Sequence, residues 1–431
     1  MQIHRYPQFK SWPEITRRPS TNYSDKFEIV RKVMSDIREN GDAALREYTN
    51  RFDKVDITDF KVKAAEIDDA VLNIDPELKN AIQIAAQNID TFHVAQRVLY
   101  RVVETMPGVK CWQKSVPIER VGFYIPGGSA PLFSTVLMLG IPARIVGCTN
   151  VVLCSPPGPD GKIHPTILFA ASVCHITEIY KLGGIQAIGA MAYGTGSIHK
   201  VNKIFGPGNS YVTAAKQFVA MEDCAIDMPA GPSEVAVMAD ETANPEFVAA
   251  DLLSQTEHGP DSQVILVTTN EKLIHDVIKA MGEQLKGLPR SAIAARSLAN
   301  SRAILVNDVE EMLSLINYYA PEHLIIAMKE AAIVAERISN AGSVFIGNYS
   351  PESAGDYASG TNHTLPTNGW AKSFSGIGLD SFCKKITFQE ITKEGIQRLG
   401  PVIEKMAAAE ELFAHKNAAT LRMKSIMSDE I

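Results

Sequence analysis

No stretch of this 431-residue sequence approaches the roughly 20 consecutive apolar residues needed to cross a bilayer. The N-terminus MQIHRYPQFKSWPEI lacks the basic-then-apolar pattern of a secretory signal. A cytoplasmic location is therefore expected. Basic charge is also short: 42 Lys and Arg against 49 Asp and Glu leave a net charge of -7. Nucleic acid and anionic membrane surfaces are not expected as partners, since both need a basic patch. Cysteine is sparse and unpatterned, with Cys111, Cys148, Cys154, Cys174, Cys224 and Cys383 forming no CxxC and no disulfide framework. That suits a reducing compartment. Cys111, Cys154 and Cys174 lie in apolar contexts and are expected to be small core residues, and nothing local marks a nucleophilic thiolate. Also missing are GxGxxG, HExxH and any residue-level internal repeat. What remains is 45% hydrophobic and 21% charged residues, enough for a large core in two or more domains.

The pattern along the chain is ordered. Residues from about Tyr23 to Phe52 and from about Pro76 to Val103 read as amphipathic helix. IERVGFYIPGG then reads as a strand entering a Gly-rich turn, and STVLMLGIPARIVG as a helix that Ser134 could cap. NVVLCSPP is a continuous apolar run, as expected of a strand covered on both faces. TILFAASVC, EIYKL, GGIQAIGAMAYG, KIFGPGN and YVTAAKQFVA continue the strand-helix alternation, which implies a parallel sheet with right-handed crossovers. A second alternating series runs from EVAVMAD through the helix at 245–258, SQVILVTT, EKLIHDVIKAMGEQL, RAILV, VEEMLSLINYY and HLIIAM to GSVFIG. The two α/β units join near Pro229 to Pro232. From about Ile386 the chain reads as amphipathic helix again, ending in one long segment that could pack on a partner subunit.

Chemistry-bearing residues gather in four places. DLLSQTEHGP sets Gln255 and His258 three apart at a helix end, on one face; a histidine there also has an ordinary role against the helix dipole. APEHL places Glu322 and His323 before an apolar strand, pointing in different directions, where two unlike bases could serve successive proton transfers or simply form a solvated loop. SPESAGDYASGTNHTLPTNG carries Glu352, Asp356 and His363 on a long polar loop of the kind that binds ligands. AAAEELFAHKN carries Glu410 and His415 on the terminal helix. His258, Asp356, His415 and the neutral amide of Gln255 make a mixed N/O set suited to zinc, although no closely spaced ligand motif marks it. YIPGGSAP, LGGIQ and FGPGN follow strands, where helix N-termini could hold phosphate or the glycines could serve only as turns.

VGFYIPGGSAPLFSTVLML, KIFGPGN, IDMPAGPSEV, DLLSQTEHGPDSQVIL, APEHL and GSVFIG followed by SPESAGDYASGTNHTLPT together resemble the signature segments of the histidinol dehydrogenases, in the same order from about residue 25 to the C-terminal helix. The resemblance implies an NAD-dependent, zinc-containing four-electron oxidation of L-histidinol to L-histidine through L-histidinaldehyde, the last step of histidine biosynthesis. It implies a homodimer with one zinc per subunit, held by Gln255, His258, Asp356 and His415, the last from the other subunit. It assigns Glu322 and His323 to acid-base catalysis. Substrate contacts fall on Ser233, Glu410 and His363 as well as on the catalytic and metal residues, and NAD contacts on Tyr124, Gln186 and Asn209. The implied fold is α/β, with two Rossmann-like parallel-sheet domains and small helical N- and C-terminal arms. The expected limits are 1–22 for the N-terminal arm, 23–120 with 234–380 for the domain bearing the zinc and catalytic loops, 121–233 for the NAD domain, and 381–431 for the C-terminal arm. Two rival readings are a zinc hydrolase, in which Glu322 activates a metal-bound water, and a non-catalytic scaffold that binds zinc and a small amine.

Overall fold

The computed structural model of the protein describes residues 1–19, 24–127, 130–221, 223–229 and 231–429. Tyr23, Gly128, Ser129 and Ala230, which fall in segments read above, lie outside the described residues. The chain divides into two units, one of residues 1–96 and 118–382 and the other of residues 97–117 and 383–431.

The first unit holds two parallel sheets. One is built from β4 (Arg120–Tyr124), β5 (Asn150–Ser155), β6 (Glu178–Lys181), β7 (Lys203–Phe205) and β8 (Ala225–Ile226), ordered β6-β5-β4-β7-β8. The other is built from β9 (Glu234–Ala239), β10 (Gln263–Thr268), β11 (Arg302–Leu305), β12 (His323–Ala327) and β13 (Ser343–Ile346), with β1 (Gln2–Arg5) at its edge, ordered β1-β11-β10-β9-β12-β13. Apart from β1, each sheet places its strands third, second, first, fourth, fifth. The same fold unit is therefore used twice, a relation that shows in topology and not in residue identity.

Burial on both faces explains the continuous apolar runs. In β9, Val235, Val237 and Ala239 enter one hydrophobic cluster while Ala236 and Met238 enter the one opposite, and every residue of the strand is buried. A strand alternates its side chains between faces, so two covered faces leave only the terminal Glu234 polar, and its carboxylate is paired with Arg18. Each buried Val or Met contributes about 1.5–3 kcal/mol.

Several sequence expectations change here. Ser134 does not cap its helix: Leu132 is the cap residue of Phe133–Val146, and Ser134 is buried inside it. The helix expected from Tyr23 to Phe52 breaks at Gly41, whose φ of 51° lies in the left-handed region. The one expected to reach Val103 ends at Val94. The helices Ser24–Asn40 and Asp42–Asp53 pack on the helices Gly184–Tyr193 and Ser210–Ala220 that flank the five-stranded sheet, and Ala64–Asn73 and Pro76–Val94 on Pro165–Val173 and Phe133–Val146 beside the same sheet, although the sequence reading grouped them with the six-stranded one. Residues 2–5 are no loose helical arm but an edge strand in register with β11. Cys154 and Cys174 are buried as expected, whereas Cys111 is only half-buried.

The second unit is not purely helical. β2 (Val103–Met106), β3 (Val109–Pro117) and β14 (Cys383–Ile391) form an antiparallel sheet ordered β14-β3-β2, so the stretch from Ile386 begins as strand. The terminal segment is two helices, Lys393–Ala409 and Phe413–Asp429, broken where Glu411 takes a φ of 59°. Gly400 lies against Met423 and Thr420 bonds to Glu404, so the pair runs antiparallel. Among the described residues, no helix is long and apolar enough to cross a membrane.

Candidate active site

The site is built where the amino ends of β9 and β12 meet the short helix Glu352–Tyr357. Glu322 and His323 follow the helix Val309–Tyr319 through Ala320, which takes a left-handed φ of 54°, and Pro321. The Glu322 carbonyl accepts from Ser343 N at 2.9 Å, and a Cβ on Gly342 would lie 2.5 Å from that oxygen, so only glycine lets β13 approach here. Glu322 Oε2 accepts from Glu234 N at 2.8 Å. Sequence spacing predicted that Glu322 and His323 diverge. In the fold the Glu322 carboxylate turns back to this backbone donor and stands 3.6 Å from His323 Nδ1.

His323 is buried among groups that favour its protonated form. Burial opposes the charge, yet Glu322 and Asp356 outweigh it and hold the imidazole well above its ordinary pKa. Asp356 Oδ1 lies 3.4 Å from His323 Nε2, and although burial opposes its charge too, His323 holds the Asp356 carboxyl well below its ordinary value. Glu352, one helical turn before Asp356, is pushed up to about 8 by burial and by the Asp356 charge. Atoms of His323, Glu352 and Asp356 able to bind a metal all lie within 4.8 Å of one another.

Gln255 completes the cluster. It is fully buried in the last turn of the helix Pro245–Thr256. Its Nε2 donates to Glu352 Oε1 at 3.1 Å and lies 2.9 Å from His323 Nδ1, while Glu352 Oε2 accepts from Ser254 Oγ at 2.6 Å. The amide nitrogen is thereby committed, and among the described residues the amide oxygen is left without a hydrogen-bond partner; Asp356 Oδ1 also lacks one and has only its ion pair with His323. Two buried oxygens without hydrogen bonds are costly unless something binds them. His258, exposed just past the helix end, lines the same cleft as Asp356. These residues fit a cation such as zinc, with one neutral oxygen, one carboxylate and one imidazole available from this unit.

His363 is half-buried, with Nδ1 donating to the Asp356 carbonyl at 2.8 Å. Its Nε2 must then accept, here from Thr135 Oγ1 at 3.1 Å. Burial lowers its pKa and keeps it neutral. Ser233 sits just before β9, and its carbonyl accepts from Gln263 N. Glu410 and His415 belong to the second unit, where both are exposed; Glu410 ends one terminal helix and His415 lies in the other, so they do not share a helix.

A cleft of about 1080 Å³ runs from Ser254, His258, Glu352 and Asp356 to the carboxyl ends of β4 and β7. There it is lined by Tyr124, Pro126, Gly127, Gly184, Pro207, Gly208 and Asn209, the described parts of the three Gly-rich turns. This is the point where strand order reverses in the five-stranded sheet, the usual ligand crevice of such folds. The close approach is built in: at Gly206, with φ of 116°, a Cβ would lie 2.1 Å from the Tyr124 carbonyl oxygen. The Tyr124 hydroxyl accepts from Gly184 N at 3.2 Å, and burial pushes its pKa up to about 12. Asn209 Oδ1 caps the helix Ser210–Ala220. Gln186 is fully buried and donates to Asp53 Oδ2 at 3.0 Å. Sequence reading assigned no role to Ser254, Thr135 or Asp53, because none stands in a local motif; Glu352 it placed only in the polar loop.

The histidinol dehydrogenase family model matches residues 16–423. Histidinol dehydrogenase of Bacteroides thetaiotaomicron is 58% identical over 426 residues, covering 99% of this chain and 100% of that protein. That of Escherichia coli O157:H7 is 51% identical over 420 residues, covering 97% and 96%. The crystal structure of histidinol dehydrogenase from Elizabethkingia anophelis matches with a TM-score of 0.97 at 56% identity, covering 99% of this chain and 98% of that one. With the family's model spanning nearly the whole sequence and the same fold in a solved member, the chain belongs to the histidinol dehydrogenase family.

Proposed function

We propose that the protein oxidises L-histidinol to L-histidine through L-histidinaldehyde, the last step of histidine biosynthesis, using two NAD and one zinc per subunit. The observation that carries this reading is the single cleft joining the Gly-rich strand ends to the cluster around Asp356. A nucleotide in one part of it and a small substrate in the other would meet within one enclosure.

Gln255, His258 and Asp356 would hold the metal, with His415 of the partner subunit as fourth ligand. Zinc there would supply a positive charge that orients the amine and imidazole of histidinol and opposes protonation of the nearby His323, leaving the imidazole able to accept a proton. NAD in the cleft, bordered by Tyr124 and Asn209, would supply the hydride acceptor for each oxidation. Ser233, His363 and the partner subunit's Glu410 complete the substrate contacts.

His323 takes the alcohol proton as hydride leaves the carbinol carbon, and the nearby Glu322 carboxylate stabilises the imidazolium that forms. Glu322 then takes a proton from the water that adds to the aldehyde, while the protonated His323 returns its proton to the former carbonyl oxygen, giving the gem-diol and a neutral imidazole. His323 accepts a proton from the gem-diol as the second hydride leaves, giving the carboxylic acid, which loses its own proton to become the carboxylate of histidine. No cysteine is needed: burial pushes Cys174 and Cys224 up to about 12, far from thiolate, and Cys154 higher still.

The second unit supports a homodimer. Val402, Met406, Phe413 and Leu421 on its two helices, with Leu412 between them, are large apolar side chains left exposed, a surface that a second copy would cover.

The test is NADH formed per L-histidinol consumed, with zinc and after chelation. Two NADH per substrate, lost with the metal and restored by zinc, is expected. Substrate binding with no NADH would reject the reading, and metal-dependent hydrolysis without NAD would favour the hydrolase.

A further inference from the structure

We propose that Asp53 is the residue that selects NAD over its 2′-phosphorylated counterpart, its carboxylate receiving the hydroxyls of the adenosine ribose while Gln186 holds it in place. The proposal rests on the reading of the cleft as the NAD site.

Asp53 ends the helix Asp42–Asp53 and lines the cleft beside Tyr124 and Gly184. Gln186 does not line it. Being fully buried, it can act on a bound nucleotide only through what it touches, and its Nε2 is bonded to Asp53 Oδ2. Gln186 is thus a positioning residue, and Asp53 is the group that faces the ligand.

The surroundings of this carboxylate suit a diol. Among the described residues no cation pairs with it; burial, opposed only by the Gln186 hydrogen bond, pushes its pKa up to about 6. It is still ionised at neutral pH, with acceptor capacity that a single amide N–H leaves unfilled. Two vicinal hydroxyls would donate to it in the charge-assisted geometry that gives the stronger hydrogen bonds. A 2′-phosphate would bring a second anion against an unpaired one, so the same group that attracts a ribose rejects its phosphorylated form. Space is kept for it: a Cβ on Gly183 would lie 3.0 Å from Asp53 Oδ1. Phe52, the preceding residue, is 43% exposed and lines the same cleft, an apolar face for the attached base.

The test compares steady-state kinetics of the wild type, Asp53→Asn and Gln186→Met with saturating L-histidinol, varying NAD and NADP separately. In Asp53→Asn the KM for NAD should rise at least about ten-fold with kcat little changed, and preference for NAD over NADP should fall about a hundred-fold. Gln186→Met should raise the KM for NAD by a smaller factor, again sparing kcat; it also carries the test if Asp53→Asn does not fold. A KM for NAD and a preference unchanged in the folded variants would overturn the assignment, above all if the thermal midpoint fell, since Asp53 would then only support the adjacent helix start. Absence of NADH from the wild type would instead reject the NAD reading of the cleft, and this assignment with it.

Discussion

Removing Arg18 should expose how the catalytic edge is held. Arg18 Nε and an Nη bond both Glu234 carboxylate oxygens at 2.5 and 2.8 Å. The guanidinium also donates to the Tyr319 carbonyl at 2.8 Å and lies over the Tyr319 ring at 4.0 Å. The Glu234 side chain is only 2% exposed, and burial lifts its pKa above the ordinary value even with Arg18 in place. Arg18→Ala would leave this carboxylate buried with only neutral donors such as Asn368 N, a loss of about 3–5 kcal/mol. For 431 residues, an unfolding entropy of about 2.1 cal/mol/K per residue converts that to a midpoint lower by about 3–6 °C in calorimetry. Adding Glu234→Gln removes the charge and should recover part of the loss. The sign with pH is fixed. Glu234's folded pKa is raised, so the fold favours its neutral form, and the variant's deficit should shrink as pH falls toward the unfolded value near 4.5. Glu234 N also donates to Glu322, and its carbonyl lies 3.2 Å from His323 Nδ1, so activity should fall in the folded fraction too. A midpoint within about 1 °C of wild type, or a double variant no better than the single, would refute the reasoning.

On the proposed mechanism, Glu322→Gln should spare the first oxidation more than the second when the half-reactions are assayed separately with histidinol and histidinaldehyde; equal losses would end the division of labour. Glu352→Ala removes the acceptor that commits Gln255 Nε2, and zinc affinity of the folded variant, measured by competition with a chelator, should weaken about 10–100-fold. His415→Asn should weaken zinc binding while leaving the thermal midpoint of the metal-free protein unchanged; undiminished affinity would remove His415 from the ligand set. Asp251, lifted by burial to about 6 from 3.8, disfavours the native state where it is ionised. Asp251→Asn should therefore stabilise by up to about 3 kcal/mol well above pH 6 and by nothing below pH 4, read from thermal midpoints across that range.

Sequence alone determined the elements whose residues are dictated by burial. EVAVMAD, SQVILVTT and NVVLCSPP are short apolar runs rich in Val and Ile between turn signals, which suit strands covered on both faces, and the breaks at Gly259-Pro260 and at the Gly-rich turns end elements whatever lies nearby. The resemblance likewise identified Gln255, His258, Glu322, His323 and Asp356 as a group, and the fold brings Gln255, Glu322, His323 and Asp356 together around one wall of a cleft that His258 also lines. Tertiary structure decided the rest. The stretch from about Ile386 was read as amphipathic helix although it completes the strand CKKITFQEI, because that strand's pairing partner lies at 109–117, more than 260 residues earlier, and both of its faces are largely exposed, leaving no periodic signal. The repeated strand order escaped notice because burial demands Val, Ile and Leu without demanding the same one twice. The roles of Glu352 and Asp53 were also out of reach. Each depends on a partner brought from far along the chain, Gln255 for one and Gln186 for the other, and only a folded backbone sets the distance between them.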